Sequence, residues 1–298
     1  MKQTLLAPLA LFLVTFGYVV WVRSLQHAAT PPIHMYELYQ IDTAPLPTVR
    51  GRPTIEGVQA SSYLVRDVAS GSDLARKAPT TQVFPASTIK LATALTALHT
   101  YPHNPLLSVP AQAVGQGERV ILPVGAQYYA NDLIQAAVVQ SVNAAALTLA
   151  YNHPGGYEGF VRDTNELFES LGLTATHTDT PVGFDTEYTQ STARDLTILS
   201  TQAIKQPLIA SAGGTRVLDL TSTNTKQVIR LHNTNPLLRS DPRVVGLKTG
   251  TTDGARETLI TLAIIDGHQV LITLLDSPDR GGDTERILSW LSSSVSWK

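Results

Sequence analysis

The chain has 298 residues, 22 basic against 24 acidic side chains for a net charge of −2, and no cysteine. That length can bury a sizeable core in one large domain or two small ones. The charge balance argues against a nucleic-acid binder, which carries a basic face or stripe, and the missing thiols exclude disulfides, thiolate metal sites and cysteine nucleophiles.

The first element is apolar. Gln3–Val22 carries no charge and lies between Lys2 and Arg23. As a helix it spans about 30 Å, the thickness of a bilayer core. A cleaved export signal has a shorter apolar region and a small-x-small cleavage site. The best candidate here, Gln26-His27-Ala28-Ala29, puts His27 at the −3 place. Residues 1–23 are therefore read as a single-pass transmembrane anchor, with a cleaved signal segment as the alternative. Either one exports the chain beyond Arg23. Residues 24–50 contain Thr30-Pro31-Pro32, Pro45 and Pro47. They read as a linker that lifts a domain, residues 51–298, off the membrane.

Ala60–Val68 reads as a strand entering a hairpin at Gly71. From Ser87 to His99, after Pro85, the residues Ile89, Leu91, Leu95 and Leu98 leave little polar face, which predicts a central buried helix. Asn131–Ala150 predicts a second apolar helix, interrupted by polar residues at Gln140–Asn143. Tyr157–Leu171 predicts a third, amphipathic helix with Glu166 and Glu169 on its solvated face. Thr192 followed by Asp195 resembles a capping box, starting a helix that runs to about Ile204.

The last third reads as sheet. Val244–Thr251 is a predicted strand, and Thr258–Ile265 and His268–Leu275 flank the hairpin signal Asp266-Gly267. Ile260, Leu262 and Ile264 point one way, and Leu259, Ala263 and Ile265 the other. Both faces are largely apolar and call for helices on each. Asp283–Val295 is a closing helix. The order predicts an α+β domain whose antiparallel sheet is built from both chain ends.

Three short strings carry the chemistry, in this order: Ser87-Thr-Ile-Lys90, Ser141-Val-Asn143 and Lys248-Thr-Gly250. Ser87 and Lys90 are neighbours on one helical face. A serine hydroxyl needs a base beside it, and a lysine serves as that base when burial or a nearby cation lowers its pKa. Lys248 is the candidate cation. The backbone N–H of Ser87, at the start of its helix, can receive developing negative charge. Ser141 is a candidate proton relay, and the Asn143 amide a candidate holder of a lysine and a substrate amide. Lys248, Thr249, Gly250 and Thr251 lie on a strand able to pair with an extended peptide. Lys248 and Thr249 can bind a carboxylate there, Gly250 can let substrate approach, and the Thr251 N–H can be a second oxyanion donor. Arg256 either reaches a substrate carboxylate or pairs with a nearby acid. The eight histidines show no ligand spacing, so no metal and no cofactor are expected. No serine sits in G-x-S-x-G, which disfavours an α/β-hydrolase.

From about Ala60 onward the chain resembles the D-alanyl-D-alanine carboxypeptidases, low-molecular-weight penicillin-binding proteins of the serine peptidase type. Pro85-Ala-Ser-Thr-Ile-Lys90 matches that family's nucleophile segment. Gly125, Asp132-Leu133 and Ser141-Val-Asn143 resemble its second element, and Val245-Gly-Leu-Lys-Thr-Gly250 with Thr252 its third. Pro181-Val-Gly-Phe-Asp185, Ser191-Thr-Ala-Arg-Asp-Leu196 and Asn233-Thr-Asn-Pro-Leu-Leu238 resemble its later landmarks. The resemblance implies the β-lactamase/transpeptidase-like fold, with helices flanking the sheet and a mostly helical subdomain. It implies acylation of Ser87 by peptidoglycan stem peptides ending in D-Ala-D-Ala, release of D-alanine and hydrolysis of the acyl-enzyme. It also implies inhibition by β-lactams and a place on the extracytoplasmic face of a bacterial membrane. Departures from the pattern are Val142 where glycine is common, Ala144 where aspartate is common, Arg256 where glycine is common, and Thr234 where some members carry arginine.

Three rivals share these motifs. A class A β-lactamase places a glutamate for deacylation, and no Glu-x-x-Leu-Asn lies between Asn143 and Lys248. A non-catalytic cell-wall binder on the same fold is expected to lose Ser87 or Lys90, and both are present. A peptidoglycan endopeptidase or transpeptidase has the same donor chemistry and stays open.

Overall fold

The computed structural model describes residues 45–51, 55–117, 120 and 122–297, so the apolar run and most of the linker lie outside the described residues. In chain order come β1 (Pro47–Val49), β2 (Ser62–Asp67), β3 (Asp73–Lys77), and a 3-10 turn (Ala86–Ile89) running straight into α1 (Lys90–Thr100). Next are β4 (Leu106–Ser108), β5 (Gln127–Tyr129), α2 (Ala130–Val139), α3 (Asn143–Tyr151) and α4 (Gly156–Ser170). Then come α5 (Ala193–Ala203), α6 (Pro207–Gly214), β6 (Val217–Thr221), β7 (Val228–His232) and α7 (Leu237–Ser240). The chain closes with β8 (Val244–Thr252), β9 (Arg256–Ile265), β10 (His268–Ser277), α8 (Arg280–Ser294) and β11 (Val295–Trp297).

The main sheet has five strands in the order β3-β2-β10-β9-β8, all neighbours antiparallel. Placing β2 beside β10 joins the two ends of the domain, as the order of elements leads one to expect. Strand side chains alternate between faces. On one face Leu64, Ile260, Leu262 and Leu271 pack with α1, α2, α3 and α5. On the other, Val65, Leu259, Ala263 and Ile272 pack with Ile287, Leu288 and Leu291 of α8. The buried Asp283 carboxylate ties the start of α8 to the entry of β2, accepting from Gln59 N and Ala60 N at 2.8 Å each and from Ser277 Oγ at 2.7 Å.

The structure departs from the sequence reading in four places. The single helix expected over Asn131–Ala150 is two: α2 ends at Val139, Ser141 adopts φ 59°, and α3 begins at Asn143. A left-handed residue cannot continue a right-handed helix, so the polar interruption is a corner. The capping box at α5 is half formed. Thr192 Oγ1 accepts from Asp195 N at 3.1 Å, but the Asp195 carboxylate turns to Ala175 N and Thr176 Oγ1. Pro47–Val49, assigned above to the linker, pairs with β11, so the folded part begins before residue 51. Finally, α6 and the β6–β7 hairpin are additions to the elements expected from the sequence. Gly213 and Gly214 at the end of α6 let that helix lie against β8. A Cβ on either would fall 2.7 Å from Leu247 Cδ1 or Val245 O, respectively.

The turn that carries Ser87 is wedged between two segments. A Cβ on Gly183 would lie 2.0 Å from Ala86 O. A Cβ on Gly250 would lie 2.4 Å from Thr258 Oγ1 and 2.9 Å from Ser87 N. Ala86 itself has φ 48°, a conformation that costs a non-glycine residue about 1–3 kcal/mol and persists only under such confinement. Gly183→Ala meets both a backbone clash and φ 81°. It is expected to destabilise the protein by about 3 kcal/mol or more. Gly267→Ala, also at positive φ but with nothing within 4 Å of the new Cβ, is expected to cost only about 1 kcal/mol. Denaturant unfolding of the two variants measures the difference.

Candidate active site

Ser87 sits in the 3-10 turn and Lys90 at the first position of α1, on one face of the continuous helical run. Lys90 Nζ lies 2.8 Å from Ser87 Oγ and donates to the Val182 carbonyl at 3.0 Å. The Lys90 side chain is fully buried. Burial pushes its amine well below the ordinary lysine range, and the charge of Lys248 pushes the same way. A neutral amine has two N–H groups and one lone pair. Because the Val182 carbonyl can only accept, it takes an N–H, and the lone pair is available to the Ser87 hydroxyl proton. This is the geometry of a serine with its base in place.

Lys248 is 1% exposed and donates to Thr249 O at 2.8 Å. Burial lowers its pKa to about 7, with Arg280 adding repulsion. No acid pairs with either lysine among the described ion pairs. The charge of Lys248 therefore acts on Lys90 with no carboxylate to offset it.

The cavity above this pair is lined by the turn at Ser87, the corner Gln140–Asn143, the segment Val182–Phe184, Thr234, the strand residues Thr249–Thr252 and Arg280. Ser141 Oγ is buried without a hydrogen-bond partner among the described residues and lies on this wall. An orphaned hydroxyl costs about 1–3 kcal/mol, and a group left so in a cavity is placed to bond whatever enters it. Asn143 is on the same wall, but its amide donates to the Gln116 and Gly117 carbonyls at 2.9 and 3.3 Å. It braces the opposite rim of the cavity and does not hold a lysine.

Two expectations need correction. Arg256 does not reach the cavity. It pairs with Asp276 at 3.3 Å near the end of the sheet, which is the ion-pair alternative raised above. Gly250 lines the cavity, yet its missing side chain makes room for Thr258 and the Ser87 turn, not for substrate. The reason is strand alternation, which turns position 250 inward beneath the nucleophile.

Two groups of the site escape sequence reasoning. The first is the Val182 carbonyl that holds Lys90. The Pro181–Asp185 string is a visible landmark, but a backbone acceptor leaves no residue-type signal. The second is Arg280. Its guanidinium donates to Gly250 O at 2.9 Å and Thr251 Oγ1 at 2.8 Å. It brings a cation to the rim where Arg256 was expected. A signal exists: Arg280 occupies the first turn of α8, where the helix dipole disfavours a cation.

Glu166 and Glu169 are exposed on α4 as expected, Glu166 within 3.7 Å of Arg162. No aspartate or glutamate is among the described residues lining the cavity.

Comparison with known proteins gives one consistent result. Residues 49–279 match the peptidase S11 family, described as D-alanyl-D-alanine carboxypeptidase. A D-alanyl-D-alanine endopeptidase of Escherichia coli K12 is 32% identical over 166 residues, 54% of this chain and 53% of that one. The chain therefore aligns with about half the length of that relative. A D-alanyl-D-alanine carboxypeptidase of Mycobacterium tuberculosis is 32% identical over 219 residues, 72% of this chain and 74% of its own. A crystal structure of a D-alanyl-D-alanine carboxypeptidase from Mycobacterium tuberculosis H37Rv superposes with a TM-score of 0.74 at 28% identity, covering 84% of this chain and 99% of that one.

The lysine burial has a measurable consequence. Lys248 titrates at about 7 in the fold and at about 10.4 unfolded. Between those values the unfolded chain binds the extra proton, so stability rises with pH, by up to about 1.4 kcal/mol per unit from this group. Lys248→Met is expected to be more stable than wild type below pH 7. It should also lose this part of the rise between pH 7 and 10. Denaturant midpoints across that range check both.

Proposed function

The chain belongs to the D-alanyl-D-alanine carboxypeptidase family, and from that premise we propose that it removes the terminal D-alanine of peptidoglycan stem peptides through an acyl-enzyme on Ser87. The observation that carries this reading is the 2.8 Å approach of the buried Lys90 amine to Ser87 Oγ. In the first half-reaction Ser87 Oγ attacks the carbonyl carbon of the D-Ala-D-Ala bond and its proton passes to Lys90. The backbone N–H groups of Ser87 and Thr251 receive the oxyanion. Ser141 carries the proton from Lys90 to the departing amine, and D-alanine leaves. A water then attacks the ester, Lys90 takes its proton, and Ser87 is restored as the shortened stem departs.

The free carboxylate of the substrate is met by three groups. Lys248 supplies positive potential from below, the Thr249 hydroxyl a donor, and Arg280 a cation at the rim. Asn143 shapes the wall opposite β8. Thr249–Thr252 line the open side of the sheet's terminal strand, which suits an extended peptide. β-Lactams are inhibitors in this reading because they acylate Ser87 and leave slowly.

The placement belongs to the same proposal. Residues 1–23 anchor the chain in the bacterial membrane, residues 24–50 include the tether, and the catalytic domain faces the cell wall outside. Among the described residues no helix is long and apolar enough to cross a membrane; the anchor in this proposal is the apolar run Gln3–Val22. A second reading is cleavage of a D-alanyl cross-link between two stems, the kind of activity named for the Escherichia coli relative. It uses the same acylation of Ser87 and differs in the leaving amine.

Intact mass after incubating the detergent-solubilised full chain with penicillin is expected to show one stable adduct, absent from Ser87→Ala. Rapid return to the unmodified mass with the drug consumed would instead indicate a β-lactamase. Release of free D-alanine from a pentapeptide, measured beside cleavage of a cross-linked dimer, separates carboxypeptidase from endopeptidase. Arg280→Leu is expected to raise KM for the pentapeptide by about tenfold while changing kcat less, since it removes a charge-assisted contact to the carboxylate.

A further inference from the structure

We propose that Thr234 is a positioning residue that aims the Thr249 hydroxyl at the terminal carboxylate of the substrate, a role resting on the carboxypeptidase reading above. Thr234 lies between β7 and α7 and lines the cavity beside Thr249. Their side-chain hydroxyls are hydrogen-bonded to each other, and neither has another side-chain partner among the described residues.

The loop that presents Thr234 is held on three sides. Its own N–H donates to Val139 O of α2 at 3.3 Å. The Asn233 amide donates to Gly213 O at 3.1 Å and Thr215 O at 2.9 Å, fixing the loop to the end of α6. The Asn235 amide donates to Gly246 O of β8 at 3.4 Å. The position of the Thr234 hydroxyl relative to β8 is therefore set by its own N–H and the two flanking asparagine side chains, and not by its own rotation alone.

Each hydroxyl has one hydrogen and two lone pairs. A carboxylate is acceptor-only, so Thr249 must donate to it. The Thr249 oxygen can then accept, and Thr234, with no other acceptor among the described residues, donates to it. The result is one chain of donors, Thr234 to Thr249 to carboxylate, in which each bond polarises the next. Without the Thr234 hydroxyl, the Thr249 hydrogen loses its fixed direction. A neutral hydroxyl pair stands at this part of the cavity, and the cation comes from Arg280 on α8.

The test compares Thr234→Val, nearly isosteric, with Thr234→Ser, which keeps the hydroxyl. Substrates are a diacyl-lysyl-D-alanyl-D-alanine peptide and the same peptide ending in a carboxamide. Thr234→Val is expected to raise KM for the acid by about fivefold with kcat within about twofold of wild type. The carboxamide should be unaffected, and Thr234→Ser should behave as wild type on both. An unchanged KM for the acid, equal losses on acid and amide, or failure of serine to rescue would each overturn the proposal. Penicillin labelling of wild type separates the two levels. A labelled wild type with an indifferent Thr234→Val sinks this inference alone, and an unlabelled wild type sinks the parent reading with it.

Discussion

Lys90 carries an amine to a buried place where no carboxylate among the described residues neutralises it. Its pKa falls for that reason, and its hydrogen-bond partners are the Ser87 hydroxyl and the Val182 carbonyl. The rest of the site depends on keeping this amine dry and neutral. Helices α1, α2 and α3 build the surrounding core from alanine and leucine. The Val182 carbonyl fixes the amine's direction, and the buried Lys248 on β8 keeps a proton from staying on it. Replacing such a pair with apolar residues would relieve the fold, because burying polar and charged amines without a compensating partner is costly. The protein holds them at that cost, as expected where stability is traded for a reactive group.

The cavity walls come from separate stretches of chain, and what brings them together is the sheet. Strand β8 brings Lys248 and Thr249–Thr252, and the turn before α1 is pinned against it by Gly250. The segment Val182–Phe184 closes over the turn at Gly183. The corner between α2 and α3 brings Ser141 from the helical side, and α8 returns Arg280 from the opposite face. Strands β2 and β10, from the two ends of the domain, are adjacent in that sheet, so the frame that carries the walls is built from both chain ends.

Much of this is legible in the sequence for physical reasons. Chemistry needs particular residue types, so Ser87, Lys90, Ser141 and Lys248 stand out, and the structure gathers them about one cavity. Apolar runs about the Asp266-Gly267 turn mark β9 and β10, and odd and even positions separate the two faces of β9. The hidden part depends on backbone conformation or on side-chain direction. Ser141 at φ 59° turns a corner that its residue type does not announce. The β6–β7 hairpin lacks an Asn-Gly or Asp-Gly turn; Lys226, at φ 61°, takes the left-handed place there. Gly250 reads as clearance for a ligand and is clearance for the turn that carries Ser87. Arg256 is the nearer arginine along the chain, but strand pairing sends it to Asp276, while Arg280 reaches the rim from a helix start.

The departures at the second motif are explained by the same packing. Val142 takes a place where glycine is common, and a bulkier side chain there could narrow or re-aim the loop. Val142 touches the cavity wall yet is only 3% exposed. It belongs to the core shared by α2 and α3, and its N–H closes the end of α2 on Ala136 O. Ala144, where aspartate is common, is fully buried in the first turn of α3. It adds no negative charge to the corner. Val142 and Ala144 therefore pack the corner from the core side, while the buried Ser141 hydroxyl beside them keeps no hydrogen-bond partner among the described residues.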